Sequence, residues 1–361
     1  MNSNVRELSR QVRTRALGSE KSVAQVIQKV LDEHAESSSE EILNEPSLSA
    51  DLHQVLTGFS FLQPFLDDES IEEVWINRPG EIRYARNGQH LCDHVSFSAE
   101  DLQTQVERLI RKSGRRLDRS SPFIDSQLEN GYRLHAAIPD VTRDHLSLNI
   151  RKFTKQVLTL PDLVAAKVVS EKQSQFLLER LTAGQNLMIS GATQAGKTTL
   201  LSALISSLGS QERIVSVEDT FELRCLLPDW VALQTRPAST EGLFEIDLRR
   251  LVRESLRMRP TRLVVGEVRG AEALDLLIAM NSGIPGLGTI HANSAKEALK
   301  KIQTLPLLAG SNISSEFLTS MIGGTLNLFV HCIRTSDGRR KISSIYELTE
   351  NQGLNLSEVR L

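Results

Sequence analysis

Gly191-Ala-Thr-Gln-Ala-Gly196-Lys197-Thr198 fits the pattern G-x-x-x-x-G-K-[ST], and it constrains this chain more than any other stretch. A loop of that form wraps backbone N–H groups around phosphate oxygens and sets the positive end of a helix against them. The pattern carries this meaning only where a strand enters the loop and a helix leaves it. Asn186 to Ser190 is a short apolar run, as a buried strand should be, and Leu200, Leu201, Leu204, Ile205 and Leu208 then recur at helical spacing. The spacing therefore predicts a phosphate cradle over Gly191, Ala192, Thr193, Gln194, Ala195, Gly196, Lys197, Thr198 and Thr199. In such a cradle Lys197 reaches the β- and γ-phosphates and the Thr198 hydroxyl ligands Mg2+. Gln194 stands where many such loops carry a further glycine, so a positive φ at that position would bring strain.

The rest of the chain bounds what the phosphate is for. At 361 residues two domains are expected. A net charge of −3 gives no overall pull toward nucleic acid or anionic lipid. Cys92, Cys225 and Cys332 are far apart and odd in number, which excludes a disulfide framework and a Cys-x-x-Cys zinc site from the expectation and points to a reducing compartment. The N-terminus has no apolar signal segment, and no run of about twenty apolar residues occurs. A cytoplasmic location is expected, with any attachment to a membrane made through a partner.

Texture divides the chain further. Residues 1–50 read as a helical appendage and linker: Val23, Val26, Ile27, Val30 and Leu31 form one apolar stripe, and ESSSEEILNEPS is polar and acidic. The cluster Arg6, Arg10, Arg13 and Arg15 reads as a solvated helix face, with a lipid or partner contact as the alternative. Residues 51–155 read as a small α/β domain, with strands around Val74 and Ile76, turns at Pro79-Gly80 and Asn87-Gly88, and a helix over Asp101 to Lys112. GYRLHAAIP and HLSLNIRKF follow as two more strands, and the boundary falls around Thr154 to Pro161. Residues 156–361 alternate strand and helix, which implies a mostly parallel sheet covered by helices, with strands at Leu187–Ser190, Arg213–Val217, Arg262–Val265 and Leu287–His291.

Three segments downstream of the loop carry further chemistry. The strand ending in Glu218-Asp219-Thr-Phe-Glu222 delivers three carboxylates to its C-terminal end, where open α/β sheets bind ligands. One of them could polarise water or hold Mg2+ through water; an acidic turn is the plainer reading. Arg262-Leu-Val-Val-Gly266-Glu267-Val-Arg269-Gly270 is a buried strand ending in an acid, suited to orienting or deprotonating water, with a structural ion pair to Arg269 as the alternative. Gly286-Leu-Gly-Thr-Ile-His291 ends a strand in a histidine near the loop.

In this order, GATQAGKTT, VEDTFEL, VVGEVRGAEALDLLIAMNSG and LGTIHANS resemble the Walker A, aspartate, Walker B and histidine boxes of the secretion-ATPase superfamily of type II and type IV secretion and type IV pilus systems. GRRLDRSSPFIDSQLENGYRLHAAIP and LNIRKF are similar to the tight-adherence (Tad/Flp, CpaF-type) pilus branch. The resemblance covers about Phe61 to Tyr346. It implies an α/β (PAS-like) N-terminal domain followed by a RecA-like P-loop NTPase domain, six copies in a ring, and ATP with Mg2+ as cofactors. Hydrolysis would move an inner-membrane platform protein that adds or extracts pilin subunits. Carried over, Glu222 and Glu267 match the catalytic acids, Lys197 and Thr198 the Walker A positions and His291 the second histidine of its box. Glu218 is a further Mg2+ contact, through water. Arg133 and Arg151 match N-domain arginines that reach the phosphates, where a cation stabilises developing γ-phosphate charge.

Two departures from the pattern stand out: Ile284 occupies the place of an earlier histidine, and there is no tetracysteine zinc module. A conjugation- or effector-type secretion ATPase is the nearest alternative. A DNA translocase is the alternative from another class, and the acidic balance without an extended basic groove argues against it. Of the basic stretches, Arg111 to Arg116 reads as a contact to phosphate or a neighbouring subunit, and Arg339-Arg340-Lys341 as a solvated loop. A nucleotide-binding regulator without turnover is disfavoured by the two intact glutamates.

Overall fold

The computed structural model describes residues 59–361 apart from 87, 112–114, 129–130, 153–156, 237, 239–243, 311 and 351–352, and of the earlier segment residues 8, 29, 30, 32 and 33. Apart from those five residues the expected N-terminal appendage lies outside the described residues, as does the middle of the Arg111–Arg116 stretch. Contacts divide the chain into Met1–Thr154 and Lys155–Leu361.

The first unit is an antiparallel sheet built from β1 (Ile71–Ile76), β2 (Glu81–Arg86), β3 (Gln89–His94), β4 (Phe123–Gln127), β5 (Arg133–Ala137) and β6 (Ser147–Arg151), in the order β3-β2-β1-β6-β5-β4. Alternating burial explains why β4, β5 and β6 are strands. In β5 and β6, Leu134, Ala136, Leu148 and Ile150 face the core, while Arg133, His135, Asn149 and Arg151 face away from it. The helix Ala99–Ile110 covers the apolar face with Leu102, Val106, Leu109 and Ile110. Its start is fixed by a capping box, in which the Ser98 side chain accepts from the Asp101 N–H and Asp101 accepts from the Ser98 N–H.

The second unit holds β7 (Leu187–Gly191), β8 (Ile214–Glu218), β9 (Trp230–Gln234), β10 (Arg262–Val268), β11 (Gly286–His291), β12 (Leu328–Arg334), β13 (Arg340–Glu350) and β14 (Leu354–Glu358). Their order is β14-β13-β12-β7-β11-β10-β8-β9. From β12 to β9 every pairing is parallel, and β13 and β14 close one side antiparallel. The central strands β7 and β8 are buried along their whole length, as strands covered on both faces must be. Successive residues of β7 feed opposite cores. Leu187 and Ile189 pack with the helices Leu160–Ala165, Glu171–Thr182 and Lys197–Ser206; Met188 packs with Glu272–Asn281 and its neighbours. The helix Leu248–Ser255 is tied to Glu272–Asn281 through buried Asp275, which accepts from Arg249 Nε at 2.7 Å and Arg253 Nε at 2.8 Å. None of the helices among the described residues is long and apolar enough to cross a membrane.

Candidate nucleotide site

Parallel pairing brings the C-terminal ends of β7, β11, β10 and β8 to one edge, so Gly191, His291, Glu267 and Glu218 lie along the same rim of the sheet. The loop leaves β7 at Gly191 and enters the helix Lys197–Ser206 through Gly196, the residue before its first turn. Gly191 is obligatory on space: a Cβ there would sit 2.4 Å from the main-chain oxygen of Cys332. Gly196 takes φ +89°, which favours glycine. Gln194 has φ +61°, so the position expected to bring strain is left-handed.

Lys197 is buried, and its ammonium donates to the carbonyls of Gly191 at 3.0 Å and Ala192 at 2.9 Å, which holds it over the loop. Thr198 is the second residue of the helix and half-buried. The Thr193 hydroxyl lies 2.6 Å from His291 Nε2, and the His291 carbonyl accepts from Lys301 Nζ at 2.7 Å. Burial, and then the Lys197 charge, push the His291 imidazole below its ordinary value, which favours the neutral ring.

The three carboxylates after β8 do not share one role. Glu218 turns inward: Oε1 accepts from the N–H groups of Glu222 at 2.9 Å and Leu223 at 2.8 Å. Its other oxygen, Oε2, is buried without a hydrogen-bond partner, and burial pushes the carboxyl up to about 7. A buried carboxylate oxygen left so is costly unless a proton, water or cation meets it. That orphan oxygen, on the same sheet rim as the loop that carries Thr198, fits a hydrated divalent cation. Gly266 explains how Glu218 is accommodated. A Cβ on Gly266 would come within 2.8 Å of Glu218 Cγ.

Glu267 follows Gly266 at a break in register between Val265 and Val268 of β10 against β11. A bulge of this kind re-aims a side chain at a strand end. The Glu267 carboxylate accepts from Arg269, whose guanidinium also lies 3.6 Å from Asp219. The ion pair considered from the sequence is therefore formed. The hydrogen bond to Glu267 raises the Arg269 guanidinium, with the charges of Asp219 and Glu222 adding to it, and Glu222 also adds to the burial that raises the Glu218 carboxyl. Ile284, in the place of the absent histidine, packs half-buried against the core.

Arg133 and Arg151 belong to the first unit, where β5 and β6 place them directly opposite one another. Arg133 lies 3.5 Å from Asp125, and Arg151 also pairs in register with Glu73 of β1. On the same unit, Glu81, Cys92 and His94 bring ligand atoms within 4.8 Å of one another, but Glu81 is already paired with Arg78 and Arg83.

His331 and Arg334 escaped the sequence reading, and Arg340, read there as part of a solvated loop, is instead the first residue of β13, with its guanidinium held on the Gln194 carbonyl. His331, buried on β12 beside β7, places Nδ1 2.9 Å from the Ser190 hydroxyl. Arg334 and Arg340, at the facing ends of β12 and β13, both reach Gln194. All three approach through the β12–β7 and β12–β13 pairings, for which no local motif stands.

The chain is similar to several known proteins. The family model described as Type II/IV secretion system protein matches residues 55–352. A Mycobacterium tuberculosis relative, provisionally named a conjugal transfer protein, is 35% identical over 311 residues, 84% of this chain and 88% of its own. The conjugal transfer protein TrbB of Rhizobium radiobacter is 30% identical over 280 residues, covering 76% and 83%. The crystal structure of the Legionella pneumophila ATPase DotB shares the fold with a TM-score of 0.55 at 19% identity, covering 91% of this chain and 81% of its own.

Proposed function

This chain belongs to the type II/IV secretion system protein family, and from that premise we propose that it hydrolyses ATP to drive a secretion, conjugation or pilus machine. The observation that carries the reading is the loop from Gly191 to Thr199 with His291, Glu267 and Glu218 at successive strand ends along the same rim of the sheet. Loop N–H groups and the helix start hold the phosphates, and Lys197 exchanges its contacts to the Gly191 and Ala192 carbonyls for β- and γ-phosphate oxygens. Thr198 and, through water, Glu218 would hold Mg2+, which when bound would offset the charge of the polyphosphate. Glu267, aimed by its bulge, and Glu222 orient the water that attacks the γ-phosphorus. The bond to the bridging oxygen breaks, and ADP and phosphate leave. Thr193 and His291 form a polar contact beside the loop that registers the γ-phosphate. Arg133 and Arg151 of the N-terminal domain supply cations to the γ-phosphate.

The working unit we propose is a ring of six copies, each with the N-terminal domain preceding the ATPase domain and the boundary near Thr154 to Pro161. It acts at the inner face of the membrane through a platform protein. The relatives' names favour conjugation or type IV secretion as the machine. The stretch GRRLDRSSPFIDSQLENGYRLHAAIP favours the tight-adherence pilus branch. In either, the motor is the same. Phosphate release by the purified full chain, with Mg2+ or EDTA, with or without single- and double-stranded DNA, on fractions sized by light scattering, tests the reading. Mg2+-dependent turnover in a six-fold mass, indifferent to DNA, is expected. Strong stimulation by DNA would replace this reading with a DNA translocase.

A further inference from the structure

Gln194 is the left-handed non-glycine residue of the phosphate loop, and two arginines from a distant part of the chain hold it. Arg334 and Arg340 face one another in the β12–β13 register. Arg334 Nη1 donates to Gln194 Oε1 at 3.1 Å, and Arg340 Nε donates to the Gln194 main-chain oxygen at 3.0 Å. The Arg340 stem also lies over Gly196, where a Cβ would meet its Cδ at 3.4 Å. Like charges placed opposite on two strands are unfavourable, and a shared acceptor offsets that repulsion. Glycine would take this φ without help. Glutamine does so against a steric penalty, and its side chain supplies the handle by which the strained peptide is gripped.

We propose that Arg334 and Arg340 are positioning residues for the phosphate loop. They keep the Gln194 peptide left-handed and so keep the loop N–H groups turned toward the triphosphate of ATP. The inference rests on the loop being the ATP site. It also makes the β12–β13 hairpin a second support of the cradle, opposite the His291–Thr193 contact.

The test uses the full chain with Arg334→Ala, Arg340→Ala, Gln194→Gly and Gln194→Gly/Arg334→Ala. Two readouts are taken: hydrogen–deuterium exchange across residues 191–199 without nucleotide, and titration with N-methylanthraniloyl-ATP. Unchanged protection of β7 and β12 serves as the check on folding. Arg334→Ala should raise loop exchange and weaken nucleotide binding about five- to tenfold. In the Gln194→Gly background the same change should matter less than about twofold, because its acceptor is gone. Arg340→Ala, which removes the donor to the Gln194 main-chain oxygen, should likewise raise loop exchange and weaken binding. Unchanged loop exchange and binding in Arg334→Ala, or an equal loss in both backgrounds, would overturn the proposal. A wild-type chain that binds no ATP, yet whose loop exchange still rises in Arg334→Ala, would sink the ATP reading and leave the grip standing.

Discussion

Alanine at Gly266 isolates the fit between two strand ends of the site. The added Cβ would meet Glu218 Cγ at 2.8 Å, while Glu218 Oε1 is pinned by two N–H groups. Gly266 is not left-handed, so its backbone accepts alanine, and relief of glycine's entropy is worth about 0.5 kcal/mol in a strand. Overpacking costs about 1–3 kcal/mol. The net loss in the wild type is therefore about 1.5 kcal/mol. With Glu218→Ala the Cγ is removed and the remaining neighbour, the Cβ of residue 218, stands at 3.5 Å, an ordinary contact. Gly266→Ala should then be neutral or stabilise by about 0.5 kcal/mol, a coupling of about 1.5–2 kcal/mol. Trp75 and Trp230 are the two tryptophans of the chain. In a Trp75→Phe background, Trp230 reports on the strand beside Glu218, its Nε1 donating to Ser216 Oγ at 2.9 Å. Urea midpoints and slopes give the four free energies of the cycle. Equal losses from Gly266→Ala in both backgrounds would refute the wedge between Gly266 and Glu218.

The same carboxyl gives a pH dependence. Its folded value of about 7 exceeds the ordinary 4.5, so its contribution to stability is full below 4.5 and is lost as pH rises through about 7. In EDTA, Glu218→Gln should flatten the stability profile between pH 5 and 8 by on the order of 3 kcal/mol at most, read from urea midpoints. Asp275→Ala should cost about 2–4 kcal/mol, because it leaves Arg249 and Arg253 without their buried acceptor; thermal melts would show it, and a loss under 0.5 kcal/mol would contradict it. Gly191→Ala should lose nucleotide binding by more than about tenfold, since the clash is with the main-chain oxygen of Cys332 and no side chain can swing aside. Calorimetric titration with ATP would measure it.

The loop was legible in the sequence because its chemistry is local: two glycines, a lysine and a threonine at fixed spacing between an apolar run and a helical stripe. The strands β7, β8, β10 and β11 were legible for the same reason, being short apolar runs that end in Gly191, Glu218, Glu267 and His291 or just before them. VEDTFEL showed three carboxylates but not which one is buried, because that depends on Gly266 of the adjacent strand. β9 and the β12–β14 side of the sheet were not read. A seven-residue run such as LFVHCIR fits a buried helix turn as well as a strand, and only its pairing with β7 decides. His331, Arg334 and Arg340 were hidden with it, since they meet the loop across 140 residues or more of chain.

The most direct measurement compares ATP binding and steady-state phosphate release for the wild type, Lys197→Ala and Glu267→Gln, with Mg2+ present. Catalysis at Glu267 predicts that Glu267→Gln binds ATP but loses turnover by about two to three orders of magnitude, while Lys197→Ala loses binding or turnover. Glu267→Gln that hydrolyses ATP at the wild-type rate would leave Glu267 as no more than the ion-pair partner of Arg269, and the catalytic assignment would fall.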